Sequence, residues 1–262
     1  MILIWTNLIA IYRRELQNYF LTPWGYMIAG IFWLVSGFFF AILYFNLIGQ
    51  GLEYGANPNA PAIDYAYELM RTFLRVMGQV VLFVLPILSM SLYAEERKRG
   101  TLELLATSPV TNWAVAVAKL GAVVTYFATV LLPVMGYQVF ALQGANPPIA
   151  LVPLFWGYFG LLLLASSMLS LGMFISSLTD NTMIAAIATF GLVLVLSVVD
   201  AIATNTSGVL ADVLAHISLL KQYENLVQGV FDSSTLVAFG SYIFLGVFLT
   251  AQSVEALRFQ RS

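Results

Sequence analysis

Long apolar runs separated by short polar intervals make up most of the chain. Six of them approach or exceed the about 20 residues that a helix needs to cross the hydrocarbon core of a bilayer. They are Trp24 to Leu47, Phe73 to Tyr93, Trp113 to Phe140, Leu151 to Leu178, Thr182 to Val199 and Leu236 to Val254. The runs are continuous and show no alternation of period two, so they predict membrane helices rather than barrel strands. The third and fourth exceed the minimum, which leaves room for tilt. Pro86 and Pro133 fall inside spans, where neighbouring groups can re-satisfy the backbone that a proline frees.

Two further stretches have helical periodicity without being spans. Trp5, Leu8, Ile9, Tyr12, Leu16, Tyr19 and Phe20 share one face, while Thr6, Ala10, Arg13, Arg14 and Gln17 occupy the other. Over residues 1–22 this predicts an amphipathic helix lying flat at the membrane interface, with Arg13, Arg14 and Glu15 as its charged cluster. The alternative is a frayed polar leader. The apolar residues precede the charges and no small-residue cleavage site follows, so the segment is expected to be retained rather than removed as a secretory signal.

The second stretch precedes the last span. Leu210, Val213, Leu214, Ile217, Leu220, Val227 and Phe231 form a stripe, with Leu219, Tyr223, Leu226 and Val230 beside it. Asp212, His216, Gln222 and Asn225 lie opposite or at the edge. A face this wide predicts packing on lipid headgroups or on the tops of other spans, as one helix or as two split near Lys221 or Gly229.

Charge turns this pattern into a topology. The chain is 60% hydrophobic and 9% charged, against about a quarter charged in soluble domains, so it reads as an all-α, multi-pass membrane protein. With both termini on one side, Arg13, Arg14, Arg97, Lys98, Arg99, Lys119, Arg258 and Arg261 share a face, and Arg71, Arg75 and Lys221 take the other. The excess of basic residues assigns the first face, and both termini, to the cytoplasm. Residues 48–72, 143–150 and 204–235 are then external, and Thr179-Asp180-Asn181 is a short cytoplasmic turn. There is no convincing internal repeat, and residues 1–262 read as a single membrane domain.

Several chemistries find no residues to carry them. The chain has no cysteine and a single histidine, which excludes thiolate metal sites, a His-Glu-x-x-His zinc motif and a membrane-embedded Ser-His pair. No span centre carries an ionisable residue, which argues against a proton-driven carrier. Lys119 lies near the cytoplasmic start of the third span and is expected to snorkel to water. There is no Gly-x-x-x-x-Gly-Lys-Ser/Thr phosphate loop, so energy for uphill work would have to enter through another subunit.

The densest charge is Glu95-Glu96-Arg97-Lys98-Arg99-Gly100-Thr101-Leu102-Glu103-Leu104-Leu105, between the second and third spans. This run can continue or restart a helix, with Gly100 as a point of flexibility and Pro109 as its end. It reads either as a solvated hairpin whose charges set topology or as an amphipathic peg that docks a partner. A topology signal needs no acidic residues, yet Glu95, Glu96 and Glu103 are interleaved with the bases.

This run, followed by Thr107-Ser108-Pro109-Val110-Thr111, resembles the coupling-helix loop of type-2 ATP-binding-cassette (ABC) exporter permeases. Within them it is most similar to the gliding-motility-associated group. Tyr12-Arg13-Arg14-Glu15-Leu16, before Tyr19-Phe20 and Pro23, resembles the family's amphipathic N-terminal helix. Tyr223-Glu224-Asn225, with Gly229-Val230 and Asp232, resembles the segment before its last span; where relatives commonly show a His-Phe-Glu-Asn-like run, this chain has Gln222-Tyr223-Glu224-Asn225. The resemblance implies a six-span permease of a prokaryotic plasma (inner) membrane, working as a dimer with a second copy or a homologous permease. Each copy would engage a cytoplasmic ABC ATPase, which holds the ATP and Mg, leaving this chain without a cofactor, catalytic residue or metal site of its own. Residues 95–105 would be the main ATPase contact and Thr179, Asp180 and Asn181 a smaller one. An exported substrate would pass along the dimer interface, lined by the first, second and fifth spans. Ser36, Gln79, Ser89, Thr189 and Ser197 would either line that path or hydrogen-bond between helices. An envelope or periplasmic auxiliary protein is a further partner of this reading, beside the lipid bilayer; nucleic acid is not. The rival reading is a non-transporting scaffold or mechanical subunit of an envelope or motility complex.

Overall fold

The computed structural model describes residues 2–55, 64–101, 111–144, 151–205, 208, 214 and 216–259. Every regular element among the described residues is a helix. In chain order these are α1 (Ile2–Leu21), α2 (Pro23–Gly55), α3 (Tyr65–Ser89), α4 (Ser91–Lys98), α5 (Asn112–Gln143), α6 (Val152–Leu178), α7 (Thr182–Asn205), α8 (Leu219–Val227) and α9 (Ser233–Phe259). Six are long and apolar enough to cross a membrane: α2, the α3–α4 run, α5, α6, α7 and α9. The six apolar stretches of the sequence fall on them.

Helix α6 is the axis of the bundle, packing against α3, α4, α5, α7, α8 and α9. Its composition explains why. Gly157, Gly160, Ser167, Ser170 and Gly172 are all buried, and small residues let membrane helices approach closely where hydrophobicity alone cannot drive them together. A Cβ on Gly157 would lie 2.4 Å from Leu74 Cδ1 of α3, and one on Gly246 of α9 would lie 2.5 Å from the Ser170 carbonyl carbon. Ser170 Oγ stands 3.2 Å from the Tyr242 carbonyl oxygen of α9.

Helices α2 and α7 are peripheral. Buried positions on α2 include Gly25, Ala29, Phe32 and Ser36, and on α7 Ala185, Thr189, Val193 and Ala203. Each set is one narrow stripe at helical spacing. The rest of both surfaces is apolar and outward-facing, and needs lipid or protein to cover it.

Prolines mark the irregular points. Trp33 Nε1 donates to the Val130 carbonyl at 2.8 Å, three residues before Pro133, where the proline ring disturbs the α5 ladder. The α3–α4 run breaks at Met90, four residues after Pro86.

At one end of the bundle α8 is set among α3, α6, α7 and α9. Tyr223 is fully buried, its ring against Gly78 and Gly160, and its hydroxyl donates to the Leu74 carbonyl at 2.6 Å. Arg75 pairs with Glu224 at 3.1 Å. Gln222, expected at the polar edge, is buried and accepts from Thr235 Oγ1 at 2.6 Å. Of the apolar stripe and the residues beside it, Leu219, Tyr223, Leu226 and Val227 are buried against the other helices, and Ile217, Val230 and Phe231 are exposed. Among the described residues, 214, 216 and 217 are helical as well, and Ser218 separates them from α8 as its N-cap; α8 ends at its C-cap Gln228, before Gly229, left-handed at φ 78°. Leu210 and Val213 lie outside the described residues.

Candidate functional site

The other end of the bundle holds the start of the charged run, and α4 is fastened there from three sides. The first fastening is at its origin. Ser176 Oγ of α6 donates to the Met90 carbonyl at 2.8 Å and accepts from the Tyr93 and Ala94 amides at 3.1 and 3.0 Å. It stands in the place of the Ala94-to-Met90 ladder bond. A side chain inserted in this way is a recognised cause of a helix break, and it satisfies buried groups that would each cost about 1–3 kcal/mol unpaired.

The second fastening is Arg97, which donates from Nη1 to the Ser177 carbonyl at 2.9 Å. A cation on a C-terminal carbonyl of α6 also complements the negative end of that helix. Arg97 therefore points into the bundle rather than to solvent.

The third fastening is Lys119 of α5. It is 2% exposed, so the expected snorkelling does not occur. The cause is that acceptors reach it inside the bundle. Its Nζ lies 2.9 Å from Glu96 Oε1, 2.9 Å from the Leu92 carbonyl and 3.2 Å from Glu15 Oε1, and 5.1 Å from the centre of the Tyr93 ring. A buried ammonium persists only when charges and hydrogen bonds compensate its lost hydration. One lysine thereby ties α5, α4 and α1 together. The cluster of one cation and two carboxylates carries a net charge of −1, and Glu96 Oε2 is buried without a hydrogen-bond partner.

Helix α1 runs along α5, with Ile11, Leu16 and Tyr19 against the core. Tyr12 donates to Thr125 Oγ1 at 3.0 Å, and Tyr19 stacks on Tyr126 with centroids 4.9 Å apart. Arg13 and Arg14 are exposed, but Glu15 turns inward to Lys119, and Ile9 and Phe20 are exposed. The contact face is thus rotated from the apolar stripe to include a carboxylate.

Gly100 acts as a stop, not as a point of flexibility within a continuing helix. Its φ is +71°; its amide donates to the Arg97 carbonyl at 3.1 Å and the Thr101 amide to the Glu96 carbonyl at 3.0 Å. These two bonds form the Schellman motif that ends helices at a left-handed glycine. Before it, Arg99 pairs with Glu95 one turn back, and Lys98 is exposed with no ion pair among the described residues. Leu102, Glu103, Leu104 and Leu105 lie outside the described residues.

The remaining sequence candidates scatter. In the turn between α6 and α7, Asn181 Oδ1 accepts from the Met183 amide at 2.9 Å and its own amide donates to Thr179 Oγ1 at 3.2 Å, while Asp180 is exposed. Ser36, Ser89 and Thr189 are buried, and each donates to a carbonyl of its own helix, Trp33, Pro86 and Ala185 respectively. Ser197 is half-buried and donates to Val193; Gln79 is exposed. Sequence reasoning missed Ser176 and the partners of Lys119. The available signals were a lone lysine inside an apolar run and the acids interleaved with the basic ones.

Comparison with known proteins bears on what this end of the bundle is for. A family model described as ABC-2 type transporter matches residues 6–231, which covers α1 to α8 and the charged run. No curated protein matches the chain.

Proposed function

Because the chain belongs to the ABC-2 type transporter family, we propose that it is the membrane permease of an ABC exporter driven by a separate cytoplasmic ATPase. The family is a membrane transport component, and it implies an ABC ATPase partner and embedding in the bilayer. The clamped end faces the cytoplasm of a prokaryotic cell, with both termini there, and α1 lies along that interface. The permease works as a dimer with a second copy or a homologous permease. The ATPase, which holds ATP and Mg, docks on residues 95–105, with Thr179, Asp180 and Asn181 as a lesser contact. The likeness to the gliding-motility-associated group, and an envelope partner with it, rests on the residues quoted above.

The observation that carries this reading is the side-chain bonding of α4 to α6, α5 and α1. A push on the residues that follow Gly100 would not be absorbed by a floppy tether. It would pass through Arg97 and Ser176 to α6, and through Glu96 and Lys119 to α5 and α1. The motion is rigid-body rocking of helices rather than chemistry at a side chain.

Alone, the purified chain is expected to hydrolyse no ATP; with its cognate ATPase it forms a membrane complex. Leu105→Asp puts a carboxylate at the apolar anchor of this contact, and burying it unpaired costs several kcal/mol (about 3–5). That variant should insert normally and lose the ATPase. A Leu105→Asp chain that inserts and still binds and stimulates its ATPase like the wild type refutes the coupling role. ATP-dependent movement of labelled substrate in proteoliposomes separates an exporter from a non-transporting scaffold.

A further inference from the structure

A half-open cavity of about 770 Å³ lies between α1 and the α3–α4 run, at the clamped end of the bundle. Its size falls in the range of about 300–1,000 Å³ typical of small-molecule sites. The lining is graded. On the α1 side it is polar, with Glu15, Asn18 and Thr22 at successive helical turns. On the facing side, Glu95, Lys98 and Arg99 present the outer surface of α4 and its C-cap. Toward the middle of the bundle it becomes apolar, with Trp24, Ile28 and Ile87. One helical turn further along α2 and α3, Ile31 and Phe83 are more than half exposed and extend the same apolar track.

We infer that this cavity seats a resident membrane phospholipid with an ammonium-bearing head, wedged between α1 and α4. The grading runs along the bundle axis from charged end to apolar middle, which is the polarity of a lipid in a leaflet. A wholly polar ligand would leave the Ile28 and Ile87 walls in water, and a wholly apolar one would bury the charges of the rim. The charges select the head. Arg99 is engaged by Glu95 and Glu15 by Lys119, which leaves Lys98 as the cation available for a phosphate. Glu15 belongs to a cluster of two carboxylates on one lysine that keeps a net charge of −1, so with Asn18 across the cavity it still suits an ammonium. A purely anionic head would meet the carboxylates of Glu15 and Glu95; a zwitterion satisfies both walls. Its chains leave over Ile28 and Ile87 and follow Ile31 and Phe83. The lipid is structural and not cargo, and it requires only that this end lies at a headgroup layer, so it stands apart from the orientation and the exporter role proposed above.

The test uses the full chain in nanodiscs of equimolar phosphatidylethanolamine and phosphatidylglycerol, transferred to detergent, with retained lipid measured by native mass spectrometry. Phosphatidylethanolamine should be retained in preference, and excess inorganic phosphate should not displace it. Lys98→Gln should lower retention up to about fivefold, the effect of one exposed charge contact of about 1 kcal/mol. Ser91→Phe, which fills the cavity without changing its charge, should lower it as well, and Lys221→Gln, far from the site on the opposite side of the topology, should not. Both variants are compared at wild-type elution volume, and either one alone suffices. The inference is overturned by phosphatidylglycerol retained as well as phosphatidylethanolamine, by displacement with phosphate, or by retention that neither variant lowers.

Discussion

Replacing Lys119 by methionine keeps most of the length and volume of the side chain and removes its terminal ammonium, with its charge and its donors. The loss is concentrated at three acceptors, Glu96 Oε1 and the Leu92 carbonyl at 2.9 Å and Glu15 Oε1 at 3.2 Å. At an effective dielectric of about 20 each ion pair is worth about 5 kcal/mol of Coulomb attraction. Most of that is spent on desolvating the ammonium and the two carboxylates, so the gross figure is not the net effect. The variant leaves both carboxylates behind, with side chains only 14% and 20% exposed. Removing one partner of a buried pair costs about 3–5 kcal/mol, and the residual exposure of both acids puts the expected loss near the lower end, about 3 kcal/mol. The assay is unfolding in detergent followed by tryptophan fluorescence. The triple variant Lys119→Met, Glu15→Gln, Glu96→Gln removes the stranded charges and should recover at least half of the loss. Lys119→Met unfolding together with the wild type, or a triple variant no more stable than the single one, would refute the argument that charge compensation holds the three helices.

Four other outcomes are expected. Ser176→Ala should cost about 1–3 kcal/mol and speed hydrogen exchange at the Tyr93 and Ala94 amides; unchanged exchange there would show that the hydroxyl is not what satisfies them. Gly78→Ala brings a Cβ to 2.5 Å from Tyr223 Cε1 and should destabilise by about 1–3 kcal/mol, whereas Gly30→Ala, with open space around it, should be neutral or slightly stabilising in the same thermal assay. Gly100→Ala forces a Cβ into a left-handed residue and should cost about 1–2 kcal/mol, read as faster exchange confined to the end of α4. In this cysteine-free chain, single cysteines at Ser108, Asn181 and Ser262 should be shielded in intact cells from an impermeant reagent, and those at Asn57, Asn146 and Ser207 should label; labelling at Ser108 would overturn the orientation.

The spans were legible because crossing a bilayer imposes a local requirement. A continuous apolar run of sufficient length, such as Val152 to Leu178, must be helical wherever its neighbours are, since only an internal ladder satisfies its backbone. The whereabouts of the charged run followed for the same reason, because those residues cannot sit in lipid. Its detailed form did not. In the sequence Gly100 reads as a flexible joint, and its left-handed φ with two capping bonds makes it the stop of α4 instead. Lys119 in an apolar run suggests snorkelling until Glu15, distant in sequence, and Glu96 arrive from other helices. Gln222 reads as polar edge until Thr235 meets it inside. Periodicity assigns a face to a helix but not what stands opposite that face. That depends on close approaches such as those at Gly157 and Gly246, which set how α6 packs on α3 and α9. A polar side chain is buried or exposed according to whether a partner lies within about 3 Å of it, and only the packed bundle settles that.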